Sequence, residues 1–524
     1  MVDSPLQTPD QPTPDQERRR NNAAGVELPA LGKANLQLHS FQPGRNNILF
    51  VTSELADLAK TGGLGEVSAA LPRALAGLHD VRVLLPGYRE VLDSSHQIRV
   101  VGSLSGHAAL PPCKLGRIDF DDGLIVYLLL CPELYERPGG PYTDEQGQDW
   151  ADNHIRFARL GLAAAEIAAG NSGILWRPDL VHAHDWPAAL APAYLRWRGQ
   201  TTPSVFTIHN LAYQGLYSLE CRPELGIPRA ACQPEGMEFH GKLSYLKAGI
   251  AYANRITTVS ATYAREITTE EFGCGLQGIL RSKARQGLLS GMRNGIDESW
   301  DAQSDPHLLD NFGSSDWHGK ALNAAYVRQR FQLQPSAGPL FAVVSRLVQQ
   351  KGLDLTHAVA ADIVAAGGQI AIIGRGEPLI EEHMRQLGQR FPGHIGVHIG
   401  FDETDARRMF AGSDFLLMPS RYEPCGLSQM YAQRFASLPI ARRTGGLADS
   451  IEDGISGFLF DQADTASYWQ AIERALKVYA HPRLLHAMRC RAMTSRFFWS
   501  QAIAPYAELY RRLLERRRTV RVPA

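Results

Sequence analysis

The sequence predicts an α/β protein built from two Rossmann-like, doubly wound domains that face a central cleft. Short apolar runs of strand length alternate with segments of helical periodicity, which is the pattern of parallel sheets covered by helices. A glycine turn, KTGG at residues 60–63, follows the first apolar run and recurs as RTGG at residues 443–446. Because each half carries one such turn between a strand and a helix, we expect two similar domains with a ligand between them.

Length and composition favour a globular protein with more than one domain. The chain has 524 residues, of which 44% are hydrophobic, enough for a core in each of two large domains. The formal net charge is zero, which favours neither nucleic acid nor a membrane surface as a partner. We find no run of about 18 apolar residues, so no transmembrane helix is expected. The seven cysteines form no CxxC pair, which indicates reduced thiols and a cytoplasmic protein.

Changes in composition divide the chain into five segments. The first is rich in Pro, Gln and Asn and is expected to be disordered. A polar, loosely patterned stretch separates two α/β series and is interpreted as a linker. The segments are a Pro-rich leader at 1–46, a first Rossmann-like domain at 47–295, a linker at 296–338, a second Rossmann-like domain at 339–490, and a C-terminal helix at 491–524 that can pack back on the first domain. The sequence leaves the oligomeric state open.

The first domain is predicted from six short apolar runs and two helical segments. Polar residues follow several of the runs, as expected where the carboxyl ends of parallel strands form a ligand-binding edge. The helices are expected at Glu66–Gly77 and Trp150–Ala169. The strands are expected at Asn47–Ser53, Val81–Leu85, Leu124–Leu130, Asp179–His182, Ser204–Ile208 and Arg255–Val259.

The second domain is predicted in the same way, as a parallel α/β series. Its strands are expected at Leu340–Val344, Gln369–Ile373, Val397–Ile399, Phe415–Met418 and Pro439–Arg442. Helices are expected at Ala321–Phe331, Leu353–Ala366, Leu427–Ser437, Tyr468–Tyr479 and Arg496–Arg517.

Both glycine turns are candidate phosphate sites. Glycine lets backbone N–H groups approach an anion, and the dipole of the following helix favours negative charge. A tight connection between strand and helix, without a ligand, is the alternative. Arg346 and Lys351 lie in another strand-to-helix loop, where two fixed cations suit a diphosphate. Taken alone, such cations are better explained by solvation, but their place in a loop that faces a glycine turn favours the diphosphate.

Polar residues at other strand ends are further candidates. His182, His184 and Asp185 resemble a metal cluster, but no third well-spaced ligand follows, and Asp185 is preferred as a polar contact in the cleft. His209 ends a strand and is either a hydrogen-bonding group for a substrate or a satisfied core residue. Glu423 has no acidic partner in its own loop, which argues against the carboxylate pair of a glycoside hydrolase. Phe401, after another strand end, either stacks on a nucleobase or packs in the core.

Nine segments in order resemble the glycogen and starch synthase family of glycosyltransferases, over about residues 47–512. They are KTGGL, HAHDWPAALAPAYL, FTIHNLAYQG, SYLKAGI, TVSATYAREI, GMRNGID, FAVVSRLVQQKGLDL, PSRYEPCGLSQMY and RRTGGLAD. The resemblance implies a GT-B fold and transfer of glucose from ADP-glucose to the non-reducing 4-OH of an α-1,4-glucan, with retention. It implies no metal and no pyridoxal phosphate. Its partners are the sugar nucleotide and glycogen or maltodextrin.

The resemblance also assigns roles by position. Arg346 and Lys351 match the pair that neutralises the diphosphate, and Glu423 matches an acid that orients the donor sugar. The positions matching catalytic residues are Asp185, His209, Arg346, Lys351 and Glu423. The positions matching donor-binding residues are Lys60, Gly62, Gly63, Asn294, Phe401, Cys425, Thr444, Gly445 and Gly446.

The chain departs from the family pattern in three places. Glu66 replaces the usual Asp, Arg375 replaces a small residue, and Phe401 replaces a Tyr against adenine. Three rival functions remain. A glucan phosphorylase would need pyridoxal phosphate, a UDP-glucose transferase often has a second Glu where this chain has Tyr431, and a glucan-binding module would need no intact site.

Overall fold

The computed structural model describes residues 45–520, with side chains described up to residue 515. All but the last two residues of the expected leader lie outside this range. The described chain forms two lobes, each a sheet covered by helices, as the sequence predicted. Among the described residues, every helix is too short or too polar to cross a membrane.

The first lobe contains a nine-stranded sheet in the order β12-β11-β7-β6-β1-β2-β5-β4-β3. The strands from β12 to β5 are parallel to their neighbours, and the order reverses between β1 and β6. A small antiparallel sheet, β8-β10-β9, lies beside it. The strands are β1 Asn47–Val51, β2 Asp80–Pro86, β3 Arg99–Leu104, β4 Cys113–Asp119, β5 Ile125–Leu130, β6 Leu180–His184, β7 Ser204–Ile208, β8 Leu216–Ser218, β9 Glu238–Phe239, β10 Lys242–Ser244, β11 Arg255–Thr258 and β12 Leu289–Gly291.

The edge of this sheet differs from the expected all-parallel arrangement. β3 and β4 pair antiparallel, and β4 pairs antiparallel with β5. Both β3 and β4 have exposed as well as buried positions, so they lack the continuous apolar run that reveals a buried parallel strand. The purely parallel interpretation is therefore wrong at this edge.

Helices cover both faces of the first sheet. They are α1 Gly63–Leu75, α2 Arg89–Leu92, α3 Pro132–Tyr135, α4 Asn153–Ala169, α5 Asp185–Ala188, α6 Leu190–Trp197, α7 Tyr245–Tyr252, α8 Ala261–Glu266 and α9 Gln277–Arg285.

The second lobe contains a six-stranded parallel sheet in the order β15-β14-β13-β16-β17-β18. This is the strand order of a Rossmann sheet, and it reverses between β13 and β16. Ligands of such sheets bind at the carboxyl ends of the strands beside the reversal. The strands are β13 Leu340–Val344, β14 Gln369–Gly374, β15 Ile395–Ile399, β16 Phe415–Met418, β17 Leu438–Arg442 and β18 Phe458–Phe460.

The last helices connect the second lobe back to the first. The expected helix at Arg496–Arg517 is two helices, and the second packs into the first-lobe core through Tyr506 and Tyr510. The helices of this half are α10 His318–Arg330, α11 Leu353–Ala365, α12 Pro378–Arg390, α13 Glu403–Gly412, α14 Ser428–Arg434, α15 Gly445–Ser450, α16 Thr465–Tyr479, α17 Pro482–Met493, α18 Trp499–Ala502 and α19 Ala504–Val520.

Candidate functional site

Lys351 and Glu423 meet at the reversal point of the second sheet. Lys351 lies in the turn after β13, and Glu423 lies in the turn after β16. Lys351 Nζ donates to Glu423 Oε2 over 2.6 Å, and Ser420 Oγ donates to the same oxygen over 3.0 Å. Gly352 permits the two turns to touch, because a Cβ there would lie 2.1 Å from the Pro419 carbonyl oxygen. The buried carboxylate is therefore held in one orientation by two donors.

Arg346 lies in the same turn but has an exposed side chain. Within the described residues its guanidinium makes no hydrogen bond and no ion pair. Burial raises the pKa of the Tyr422 hydroxyl to about 12, and the nearby charge of Arg346 opposes that shift. The sequence predicted a matched pair of cations, whereas the structure contains one cation bound to a carboxylate and one that is available to an anionic ligand.

The second glycine turn packs against the turn that carries Glu423. The Gly446 N–H donates to the Glu423 carbonyl over 3.0 Å. A Cβ on Gly445, which has φ +45°, would lie 1.9 Å from that carbonyl oxygen. The Gly445 N–H and the Thr444 hydroxyl donate to Glu266 of the first lobe, each over 3.0 Å. Close packing thus explains these glycines, and their contact with a donor diphosphate stays a prediction.

The first glycine turn has a different environment. The N–H groups of residues 61 and 62 donate to Glu54 Oε2 over 2.8 and 2.9 Å. A Cβ on Gly62 or Gly63 would meet no atom within 4 Å. Lys60 forms an ion pair with Glu66, one of the departures from the family pattern. The open space beside these glycines leaves room for a ligand, as the phosphate interpretation requires.

Phe401 and Lys60 face each other across the two lobes. The Lys60 ammonium lies 6.0 Å from the centre of the Phe401 ring, and Phe401 is 66% exposed. Phe401 is therefore not a core residue, and stacking on a base remains its candidate role. Arg375, another departure, is exposed, and its carbonyl accepts a hydrogen bond from the Leu347 N–H over 3.0 Å.

Asp185 lies at the reversal point of the first sheet, directly after β6. It is buried, and its φ of 57° is in the left-handed region, which Asp adopts more readily than most residues. Its carboxylate accepts the His209 N–H over 3.2 Å and the Asn210 N–H over 3.4 Å. Burial raises the pKa of Asp185 to about 7, although the two N–H donors oppose the shift and the Glu54 charge adds to it.

Three histidines line the same edge in a neutral state. His184 Nδ1 lies 3.0 Å from His209 Nε2, and burial lowers the pKa of both rings, that of His209 to about 3. His182 is a core residue bonded to Thr207 and Tyr510, each over 2.6 Å. His209 therefore acts near neutral pH as a hydrogen-bonding group without charge.

In the described part of the chain, the paired histidines do not belong to a group of side chains close enough to bind one metal ion. Among the residues that the structure describes, the group of His, Cys and carboxylate side chains close enough to bind one metal ion is His154, Cys221 and Glu224.

Asn294 and Cys425 touch beneath the Glu423 turn. The Asn294 N–H donates to the Cys425 thiol, and burial raises the pKa of that thiol to about 12. Cys425 is therefore a neutral thiol and not a nucleophile. The side-chain oxygen of Asn294 is buried and has no hydrogen-bond partner among the described residues, so it can accept a hydrogen bond from a ligand.

Sequence reasoning missed three carboxylates that bind backbone N–H groups, those of Glu54, Glu266 and Asp449. Glu54 lies three residues after β1, so its place at the carboxyl edge is a signal that identifies it. Glu266 and Asp449 lie within helices, and each binds a residue of the other lobe. No local pattern in the sequence indicates such contacts.

Comparison with known families matches both lobes. The starch synthase catalytic domain matches residues 47–282, and the glycosyl transferases group 1 family matches residues 338–478. A protein named glycogen synthase from Pseudomonas fluorescens is 68% identical over 501 residues, covering 96% of each chain. Another of that name from Pseudomonas syringae pv. syringae is 69% identical over 475 residues, covering 91% of this chain and 98% of its own.

Two solved structures have a similar fold. The catalytic domain of starch synthase IV from Arabidopsis thaliana, bound to ADP and acarbose, is 31% identical with a TM-score of 0.79. The match covers 90% of this chain and 100% of that one. Sucrose-phosphate synthase from Thermosynechococcus elongatus has a TM-score of 0.56 at 16% identity, covering 90% of this chain and 100% of that one, which is a likeness of fold alone.

Proposed function

Because the chain belongs to the glycogen and starch synthase family of glycosyltransferases, we propose that it transfers glucose from ADP-glucose to the non-reducing end of an α-1,4-glucan, with retention of the anomeric configuration. Relatives named glycogen synthase support the glucan product, and the starch synthase bound to ADP and acarbose supports the donor and the acceptor class. The observation that carries the proposal is the reversal point of the second sheet, where Arg346, unpaired within the described residues, lies in the same turn as Lys351 and Lys351 is paired with Glu423.

Arg346 and Lys351 suit a leaving nucleoside diphosphate. Breaking the bond between the sugar and its phosphate increases negative charge on the diphosphate, and fixed cations stabilise that charge in the transition state. Arg346 offers a guanidinium that has no competing partner in the part of the chain that the structure describes. Lys351 divides its charge between Glu423 and the ligand. These two cations can supply the electrostatic stabilisation without a metal ion, so we include independence from metals and from pyridoxal phosphate in the proposal.

Glu423 orients the donor sugar by accepting hydrogen bonds from its hydroxyl groups. Its Oε2 already accepts from Lys351 and Ser420, which leaves Oε1 for the sugar. On the first-lobe side, the neutral His209 and Asp185 supply hydrogen-bonding groups at the opposing sheet edge. An oxygen of the leaving phosphate takes the proton of the acceptor hydroxyl on the face that the phosphate leaves, which gives retention without a covalent intermediate.

The cysteines support a cytoplasmic location. All seven are free thiols, which suits a reducing compartment.

The proposed reaction can be tested with the purified protein, glycogen, and either ADP-glucose or UDP-glucose. We expect release of nucleotide that depends on glycogen, faster from ADP-glucose, and unchanged by EDTA. Proton NMR of the extended glucan should show only new α-1,4 linkages. Preference for UDP-glucose would overturn the donor, a β linkage would overturn retention, and loss of turnover in EDTA would overturn metal independence.

A further inference from the structure

Helices α8 of the first lobe and α15 of the second bind each other's amino ends. Glu266, at the end of α8, accepts from the Gly445 N–H over 3.0 and 3.1 Å and from the Thr444 hydroxyl over 3.0 Å. Asp449, near the end of α15, accepts from the Thr262 N–H over 2.9 Å and from the Thr262 hydroxyl over 2.6 Å. Two carboxylates thus make equivalent contacts in opposite directions across one interface between the lobes.

The two ends of this contact differ in how directly their carboxylates hold the turn that carries Glu423. Behind Gly445 is the turn that carries Glu423, because the Gly446 N–H donates to the Glu423 carbonyl and a Cβ on Gly446 would lie 2.0 Å from the Cys425 carbonyl oxygen. With so little space between the two turns, a shift of the glycine turn must move Glu423 as well.

Behind Thr262, the amino end of α8 also contacts the Glu423 turn, because Ser260 Oγ donates to the Pro424 carbonyl over 2.7 Å. Thr262 is the second residue of α8, and its hydroxyl also accepts from Arg265 over 2.8 Å. The Asp449 carbonyl accepts from Arg293 over 3.3 Å. Loss of the Asp449 carboxylate therefore weakens the same interface but leaves in place both the Ser260–Pro424 bond and the bonds of Glu266 to the glycine turn.

We propose that Glu266 is a positioning residue for glucosyl transfer: from the first lobe it fixes the glycine turn at residues 444–446, and through that turn it sets the position of Glu423. The proposal rests on the proposed function, since it concerns the geometry of that reaction. One N–H group and one hydroxyl donate to the partly buried Glu266 carboxylate, and such charge-assisted hydrogen bonds are strong enough to hold the turn. Glucosyl transfer then requires that the first lobe hold the glycine turn of the second lobe in this position.

A competing explanation makes Glu266 a substitute for the donor. The glycine turn was expected to bind the diphosphate, and a carboxylate on its N–H group resembles a bound phosphate oxygen. If Glu266 occupies the site of the donor, its removal should tighten donor binding. If it positions Glu423, its removal should lower kcat and leave the donor KM nearly unchanged.

The test compares Glu266→Ala with Asp449→Ala, a matched control that removes one carboxylate and two hydrogen-bonding partners from the same interface. Glu266→Gln is the conservative variant, because its side-chain oxygen can still accept from Gly445. We expect Glu266→Ala to lower kcat by about tenfold to a hundredfold, as small displacements of reacting groups do. Asp449→Ala should stay within about threefold of wild type, and Glu266→Gln should recover most of kcat.

Hydrogen–deuterium exchange without substrates separates this proposal from the proposed function. Faster exchange across residues 421–427 in Glu266→Ala, but not in Asp449→Ala, is expected even if the donor were misassigned. If the two alanine variants lost the same fraction of kcat, Glu266 would only stabilise the interface between the lobes, and the proposal would be overturned. So would a fall in donor KM in Glu266→Ala, or unchanged exchange at residues 421–427.

Discussion

The Lys351 ammonium lies 2.6 Å from the Glu423 carboxylate, and the two residues follow the strands on either side of the reversal point of the second sheet. Both side chains are mostly shielded from solvent, with exposures of 16% and 7%. An ion pair in such a place is weak evidence of a role in stability, because desolvation offsets much of the attraction. Its position at the carboxyl edge favours a role in the reaction.

The first prediction concerns Glu423→Gln, which keeps the shape and removes the charge. We expect kcat to fall by about 100- to 1,000-fold, because the sugar loses its charged acceptor and Lys351 loses its partner. The free energy of unfolding should fall by about 1–3 kcal/mol. Nucleotide release and urea unfolding measure the two effects. Ser420→Ala is the control, since it removes only a neutral donor to the same oxygen; the assignment fails if the two variants lose the same activity.

Arg346→Ala should lower activity without lowering stability, unlike Glu423→Gln, which is expected to lower both. The side chain is exposed and unpaired within the described residues, so the melting temperature should stay close to wild type. Loss of the cation should lower kcat by about 100- to 1,000-fold. Arg375→Ala is a matched control, since Arg375 is also exposed and its backbone carbonyl bonds the same loop. Equal losses in both variants would show a general effect of surface charge and contradict the role of Arg346.

The positions of Arg346 and Glu423 could be predicted because continuous apolar runs mark buried parallel strands, and the residues after those runs must lie at one edge. The last two strands at one side of the first sheet, β4 and β3, could not be predicted in this way. One face of each is partly exposed, so their apolar residues do not form a continuous run.

Contacts between distant segments account for most of what the sequence did not predict. Glu266 and Gly445 are 179 residues apart, and His182 and Tyr510 are 328 apart. The two-residue spacing of His182 and His184 suggested a metal site, but the bond to Tyr510 makes His182 part of the core. A hydrogen-bond partner that is hundreds of residues away in the chain cannot be predicted from the local spacing of residues.

Asp185→Asn should change how stability depends on pH. The folded-state pKa of Asp185 is raised from 3.8 to about 7, so the native state holds the proton more tightly than the unfolded state does. The stability that this proton contributes is complete below pH 4 and is lost as the pH rises through 7, by up to about 4 kcal/mol. Asn has no such proton, tolerates the left-handed backbone and can accept the same N–H groups.

Urea unfolding of wild type and Asp185→Asn at several pH values between 4 and 8 measures this effect. The variant should gain stability relative to wild type as the pH rises. His182 and His209, whose pKa values are lowered to about 3, destabilise both proteins alike as the pH falls below 6.5, so the difference isolates Asp185. A difference that is constant with pH would mean that Asp185 is ionised across the range.

Tyr510→Phe tests how the C-terminal helix is attached to the first lobe. The Tyr510 hydroxyl is bonded to the buried His182 ring over 2.6 Å, so its removal leaves a buried ring nitrogen without a partner and should cost about 1–3 kcal/mol of unfolding free energy. Tyr506 lies one helical turn earlier, and its buried hydroxyl has no partner in the structure. Tyr506→Phe should therefore be neutral or stabilising. Equal costs for the two variants in urea unfolding would mean that the ring packing, and not the bond to His182, holds the helix.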